Sequence, residues 1–108
     1  MKISTVYSAG RLTVYLGGEL DHHGAREAME AIDEAIDASL PRDFVLDMSE
    51  LSFMDSSGIA VILKSGRKMQ EAGGRMYIEN PQSQPLRVLD ASGISRIVPI
   101  AAKGEVTT

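Results

Sequence analysis

Cysteine is absent from this 108-residue chain, which excludes disulfides, thiolate metal sites and cysteine nucleophiles together. Tryptophan is absent as well, and eleven Lys and Arg stand against fifteen Asp and Glu. A nucleic-acid binder would show a basic surface with stacking aromatics, so direct nucleic-acid binding is not expected. No apolar run approaches membrane-spanning length, and no amino-terminal segment resembles a signal peptide. The expectation is a cytoplasmic protein with no membrane insertion. The chain also lacks a G-x-S-x-G nucleophile elbow and a G-x-x-x-x-G-K-[ST] phosphate cradle. What remains is length enough for one domain, residues 1–108, with a core that needs no staples.

The most informative stretch present is Leu46–Gly58, LDMSELSFMDSSG. It holds a buried strand, a second apolar run, and an acidic, serine-rich turn that opens a helix. Asp55-Ser56-Ser57-Gly58 places two hydroxyls where Ile59-Ala60-Val61-Ile62-Leu63 becomes helical. The first amides of a helix lack internal partners, and the helix dipole favours negative charge there. A phosphate on serine at this point would meet those amides. Ser is also a favoured N-cap, so on these residues alone Ser56 and Ser57 read equally as capping groups.

Charge is unevenly spread. Through Ser57 there are eleven acids and four bases, and beyond it four acids and seven bases. Glu27, Glu30, Glu34 and Asp37 form an acidic stripe on the first helix; Lys64, Arg67 and Lys68 form a basic one on the second. Both read as solvated outer faces, or as a charged docking surface for a partner.

The pattern along the chain is ββαβαβαβ. Ile3–Tyr7 and Leu12–Leu16 form a hairpin across Ser8-Ala9-Gly10-Arg11, and Gly17-Gly18 breaks the second strand. A helix follows over about His23–Leu40, with Ala25, Met29, Ile32, Ile36 and Leu40 inward, Asp21 near its cap and Pro41 at its end. Phe44–Met48 lacks alternation and reads as a strand buried on both faces. A second helix spans about Ser57–Ala72, with Ile59, Ile62, Leu63, Gly66 and Met69 inward, stopped by Gly73-Gly74. Arg75–Glu79 is a strand, and Asn80-Pro81 a turn. Gln84–Ala91 is a short helix with Leu86 and Leu89 inward and Pro85 in its first turn, and Ile97–Ile100 is the last strand. Helices between successive strands imply a largely parallel sheet with one antiparallel hairpin edge, an α/β fold. The tail 101–108 is weakly patterned and expected to fray.

Gly18-Glu19-Leu20-Asp21, Leu46-Asp47-Met48-Ser49, Phe53–Gly58 and Asp90–Ile94 occur in an order and spacing that resembles the STAS domain. More closely the chain is similar to bacterial anti-sigma factor antagonists, including sporulation members that share Glu19-Leu20-Asp21-His22-His23. The resemblance spans about residues 3–100. It implies a mixed, mostly parallel sheet with helices packed on it, and a partner-switching cycle. The unmodified protein binds an anti-sigma factor that is also a serine kinase, freeing a sigma factor. The kinase phosphorylates the serine before the motif glycine, which maps to Ser57, and the antagonist dissociates until a serine phosphatase restores it. By the same resemblance Asp21 is a positioning residue near the acceptor, and Asp55, Ser56 and Gly58 belong to the partner-binding turn. The family usually ends in a further amphipathic helix; here only Ala101–Thr108 remains for it, so that helix is expected to be short or missing.

Without the resemblance, Asp21 and Asp55 are ordinary capping and turn residues. His22-His23 does not make a metal site, because adjacent residues at a helix start diverge and no Cys or third His completes one. Met29, Met48, Met54, Met69 and Met76 read as core filler. No cofactor is implied, and no residue pattern supports nucleotide sensing. The chain reads as a substrate of phosphoryl transfer rather than its catalyst, since a kinase supplies base and metal ligands itself. The alternative is a STAS accessory subunit of a membrane transport or lipid-trafficking assembly.

Overall fold

A computed structural model describes residues 1–101. Five strands form one sheet in the order β1-β2-β3-β4-β5. They are β1 (Lys2–Ser8), β2 (Arg11–Leu20), β3 (Asp43–Met54), β4 (Arg75–Glu79) and β5 (Ile100–Ala101). β1 and β2 are antiparallel and every other neighbouring pair is parallel. Three α-helices make the connections: α1 (His22–Ser39), α2 (Ser56–Glu71) and α3 (Ser83–Ser92), the last followed by a 3-10 turn at Ile94–Arg96. The α/β order ββαβαβαβ is the one the sequence implies. Of the tail 101–108 expected to fray, Ala101 is instead paired with Glu79 in β5, and residues 102–108, on which the short or missing final helix would fall, lie outside the described residues.

Alternation in the strands sets the core. Leu12, Val14 and Leu16 of β2, Phe44, Leu46 and Met48 of β3, and Met76 and Ile78 of β4 point to one face. Ala28, Ile32 and Ile36 of α1, Val61, Ile62 and Met69 of α2, and Leu89 of α3 close over that face. Leu46 and Ile62 are fully buried.

Five expectations need correction. Gly17-Gly18 does not end β2. The strand runs on to Leu20, and the register against β3 slips between Tyr15 and Gly17 and again between Gly18 and Glu19. Gly18, with φ +97°, supplies the left-handed residue that such an irregularity needs. β3 correspondingly runs to Met54 instead of stopping at Met48. Leu40 faces out, at 78% exposure, because it is the left-handed cap of α1 at φ 48° and turns away from the helix face. In α2 the buried face includes Gly58, Val61 and Ser65, while Leu63 is exposed. Ser65 is tolerated there because its hydroxyl donates to the Val61 carbonyl at 2.8 Å. Ile97 lies outside β5 and is exposed, since the 3-10 turn and its Ile97 N–H to Ile94 carbonyl bond hold it off the sheet.

Candidate functional site

The site grows from a rung of the sheet. Leu20 and Met54, the last residues of β2 and β3, are register partners. One residue on, Asp21 and Asp55 both take an extended conformation and cap the helices that follow. Asp21 Oδ1 accepts from the Gly24 N–H at 2.8 Å, and Asp55 Oδ1 from the Ser57 N–H at 2.8 Å. The Asp55 N–H in turn donates to the Leu20 carbonyl at 3.4 Å. Two capped helix N-termini therefore stand side by side at the carboxyl ends of β2 and β3. The Gly24 N–H holds the Asp21 carboxyl below its ordinary range; desolvation opposes this, and the charge of His23 adds to it.

Asp55, and neither serine, is the cap of α2. Ser56 and Ser57 are its first two helical residues, and among the described residues their hydroxyls make no hydrogen bond. The serines face different spaces. Ser57 is half-buried and opens on a groove of about 450 Å³ between α1 and α2. Ala25, Met29 and Val61 form its floor, while His22, Arg26, Glu30 and Lys64 stand around it. Ser56 is exposed on a second groove of about 540 Å³ between α2 and α3, with Ile59, Gln84, Arg87 and Val88. Ser57 is thus only partly exposed, since the wall of α1 covers part of it.

Gly58 is fixed by packing. A Cβ there would collide with Met54 Cγ and would lie 2.6 Å from its Sδ and 2.9 Å from Leu20 Cδ2. Its place in the motif is set by the close seating of α2 on the rung that ends β2 and β3.

Three polar residues that sequence reasoning passed over hold this end of the sheet. Gln84 of α3 accepts from the Met54 N–H at 2.9 Å and donates to the Met54 carbonyl at 3.0 Å. Its amide thereby stands in for a neighbouring strand. Asp47, buried to 6% exposure, accepts from the Ser49 N–H and hydroxyl with one oxygen and from Asn80 Nδ2 with the other. That bond draws the Ser49 N–H out of the ladder where β3 first slips register. An acid inside the apolar run Phe44–Met48 was the available signal. Gln84 left none, because nothing local marks a glutamine that binds a strand thirty residues away.

The two charged stripes also meet within the molecule. Lys68 Nζ lies 2.9 Å from Asp37 Oδ1 and 3.8 Å from Asp33 Oδ1, tying α2 to α1 instead of facing solvent alone. The hydrogen bond with Asp37 raises the Lys68 pKa. The rings of His22 and His23 stack edge to face, 5.8 Å apart. Among the described residues no cluster of three or more His, Cys, Asp or Glu could hold a metal ion, and no helix is long and apolar enough to cross a membrane.

Comparison with known proteins gives this geometry its context. The STAS domain model matches residues 2–105. An anti-sigma F factor antagonist of Paenibacillus polymyxa is 38% identical over 100 residues, spanning 93% of this chain and 86% of that protein. The structure of the anti-sigma factor antagonist SpoIIAA in its unphosphorylated form superimposes with a TM-score of 0.80 at 27% identity, over 94% of this chain and 90% of that one. The phosphorylated form of the Bacillus cell fate determinant SpoIIAA superimposes with a TM-score of 0.71 at 27% identity, over 94% and 93%. The chain belongs to the STAS domain family and, within it, to the anti-sigma factor antagonists, which are regulatory binding proteins and not enzymes.

Proposed function

We propose that the unphosphorylated chain binds an anti-sigma factor that is also a serine kinase, in the cytoplasm, and so frees a sigma factor. Phosphorylation of Ser57 ends the interaction, and a serine phosphatase restores it. The observation that carries this reading is the state of the Ser57 hydroxyl. It makes no hydrogen bond among the described residues, faces an open groove, and sits on a turn built by other groups. In the transfer, the Ser57 oxygen forms a bond to the γ-phosphorus of ATP as the bond to ADP breaks. The hydroxyl proton passes to a base that the kinase supplies.

In this reading Asp55 and Gly58 shape the turn, Ser56 faces the partner from the α2–α3 side, and Asp21 steadies the start of α1 beside the acceptor. A relative named as an anti-sigma F factor antagonist and a similar protein solved both unphosphorylated and phosphorylated support this reading over a transport subunit. The test is retention of an anti-sigma factor kinase on the immobilised chain, then ATP and mapping of the phosphate by mass spectrometry. Ser57→Ala should bind and resist modification, and Ser57→Asp should bind weakly. Phosphate on Ser56, or normal modification of Ser57→Ala, would overturn the assignment.

A further inference from the structure

The walls of the α1–α2 groove face each other in register. Lys68 on α2 pairs with Asp37 and Asp33 on α1, which fixes the turns that oppose. One turn earlier on α2, Lys64 lines the groove with Glu30. Earlier still, Ser57 lines it with His22 and Arg26. Lower in the groove, α1 offers acids and α2 offers lysines. At its mouth the order reverses: α1 offers Arg26, and α2 offers only a neutral hydroxyl. Among the described residues neither Arg26 nor Lys64 forms an ion pair.

We propose that this groove is the receptor for the phosphate carried by Ser57, with Arg26 as its main cation and Lys64 as the second. The inference rests on Ser57 as acceptor and adds where the phosphate goes. Phosphorylation brings about −1.5 to −2 charges to the one place where the opposing wall is positive. A guanidinium fork suits phosphate oxygens better than any other side chain present. The Asp21 and Asp55 carboxylates flank the loop side and are already engaged by backbone amides, so they repel the new anion towards the groove. Glu30, about one turn lower and four residues from Arg26 on the same helix, is the competing anion among the residues that line the groove. A seated phosphate would lie across the apolar floor of Ala25, Met29 and Val61. Modification would then both add charge and close an apolar groove to a partner.

The test installs phosphoserine at position 57 of the full chain by codon reassignment, without a kinase, and follows its second ionisation by phosphorus NMR. Failure of this inference is thereby separated from failure of Ser57 as the natural acceptor, which the kinase assay reads. The ionisation midpoint should lie about one pH unit lower in the wild type than in Arg26→Met. Arg26→Lys should recover part of that shift, Lys64→Met should lose a smaller part, and Glu30→Gln should lower the midpoint further. Repeating the series with His22→Asn removes the one imidazole that lines the groove, so that the Arg26 effect is read without it. Equal midpoints in the wild type and Arg26→Met overturn the proposal. Saturable binding of inorganic phosphate to the unmodified chain, tighter than about 1 mM and lost in Arg26→Met, would make this a free-anion site and overturn it as well.

Discussion

Replacing Gln84 with alanine tests whether the Asp55–Gly58 turn is held from the far side by α3. The Gln84 amide makes two hydrogen bonds to the backbone of Met54, the residue that ends β3 directly before Asp55. Each bond is worth about 0.5–1.5 kcal/mol net, so removing both should cost about 1–3 kcal/mol. Alanine's better helix propensity returns only a few tenths of a kcal/mol. Gln84 is half-buried, so water can reach Met54 in part and the loss should lie near the middle of that range. The measurement is the urea midpoint with an unchanged m-value, together with hydrogen exchange at the Met54 amide. Exchange should quicken there before it does at Leu46, in the fully buried part of the same strand. Gln84→Glu keeps an acceptor for the N–H but sets a negative oxygen against the carbonyl, so near neutral pH it should be no better than alanine. Gln82→Ala removes an exposed bond to the Ser49 carbonyl and should shift stability by less than about 0.5 kcal/mol. A Gln84→Ala protein within about 0.5 kcal/mol of wild type, with the Met54 amide still protected, would refute the reasoning.

Gly58→Ala should destabilise by about 1–3 kcal/mol, despite the usual helical gain from alanine, because the new methyl meets Met54 and Leu20; an unchanged urea midpoint would contradict this. Leu46→Ala, at a fully buried site, should cost about 2–5 kcal/mol in the same assay. Asp21 gives a pH dependence with a defined sign. Its folded-state pKa lies below the ordinary 3.8, so its stabilising effect is present above that value and is lost as pH falls through the folded pKa. Wild type should therefore exceed Asp21→Asn in stability near pH 7, and the two should converge as the pH falls through the folded-state pKa of Asp21; a gap that persists in acid would assign the effect to shape instead of charge.

Much of this arrangement was legible because local and tertiary forces agree. The apolar run Phe44–Met48, the strand pattern of Arg75–Glu79, proline at 41 and glycine at 73 and 74 placed the elements in order, although β3 runs on to Met54. Periodicity failed where one residue does something other than pack. Leu40 is apolar and correctly spaced, but a left-handed cap takes it off the helix face. Ser65 is polar and misplaced on the same logic, until its hydroxyl finds the Val61 carbonyl. Asp55 and the two serines are all good caps, so composition could not rank them; the acid prevails where its oxygen reaches the Ser57 amide. Gln84 and Asn80 depend on partners thirty and thirty-three residues away, and no local pattern encodes such a pairing.

Under the proposed function, the same division of labour would let a charge at Ser57 change binding while leaving the fold in place. The turn is held by the Asp55 carboxylate, the Asp55 N–H on the Leu20 carbonyl, the Gln84 clamp on Met54, and the seat of Gly58 against Met54 and Leu20. None of these uses the Ser57 side chain, so esterifying its oxygen breaks no internal hydrogen bond among the described residues. A group of about −1.5 to −2 charges then appears on an intact scaffold. Any loss of affinity has to arise at the interface, where every ~1.4 kcal/mol of repulsion or lost contact is tenfold in binding. A serine that capped its own helix would have made a poor switch, because modifying it would first have loosened the helix that presents it. Leaving the cap to Asp55 separates the group that builds the turn from the group proposed to carry the signal.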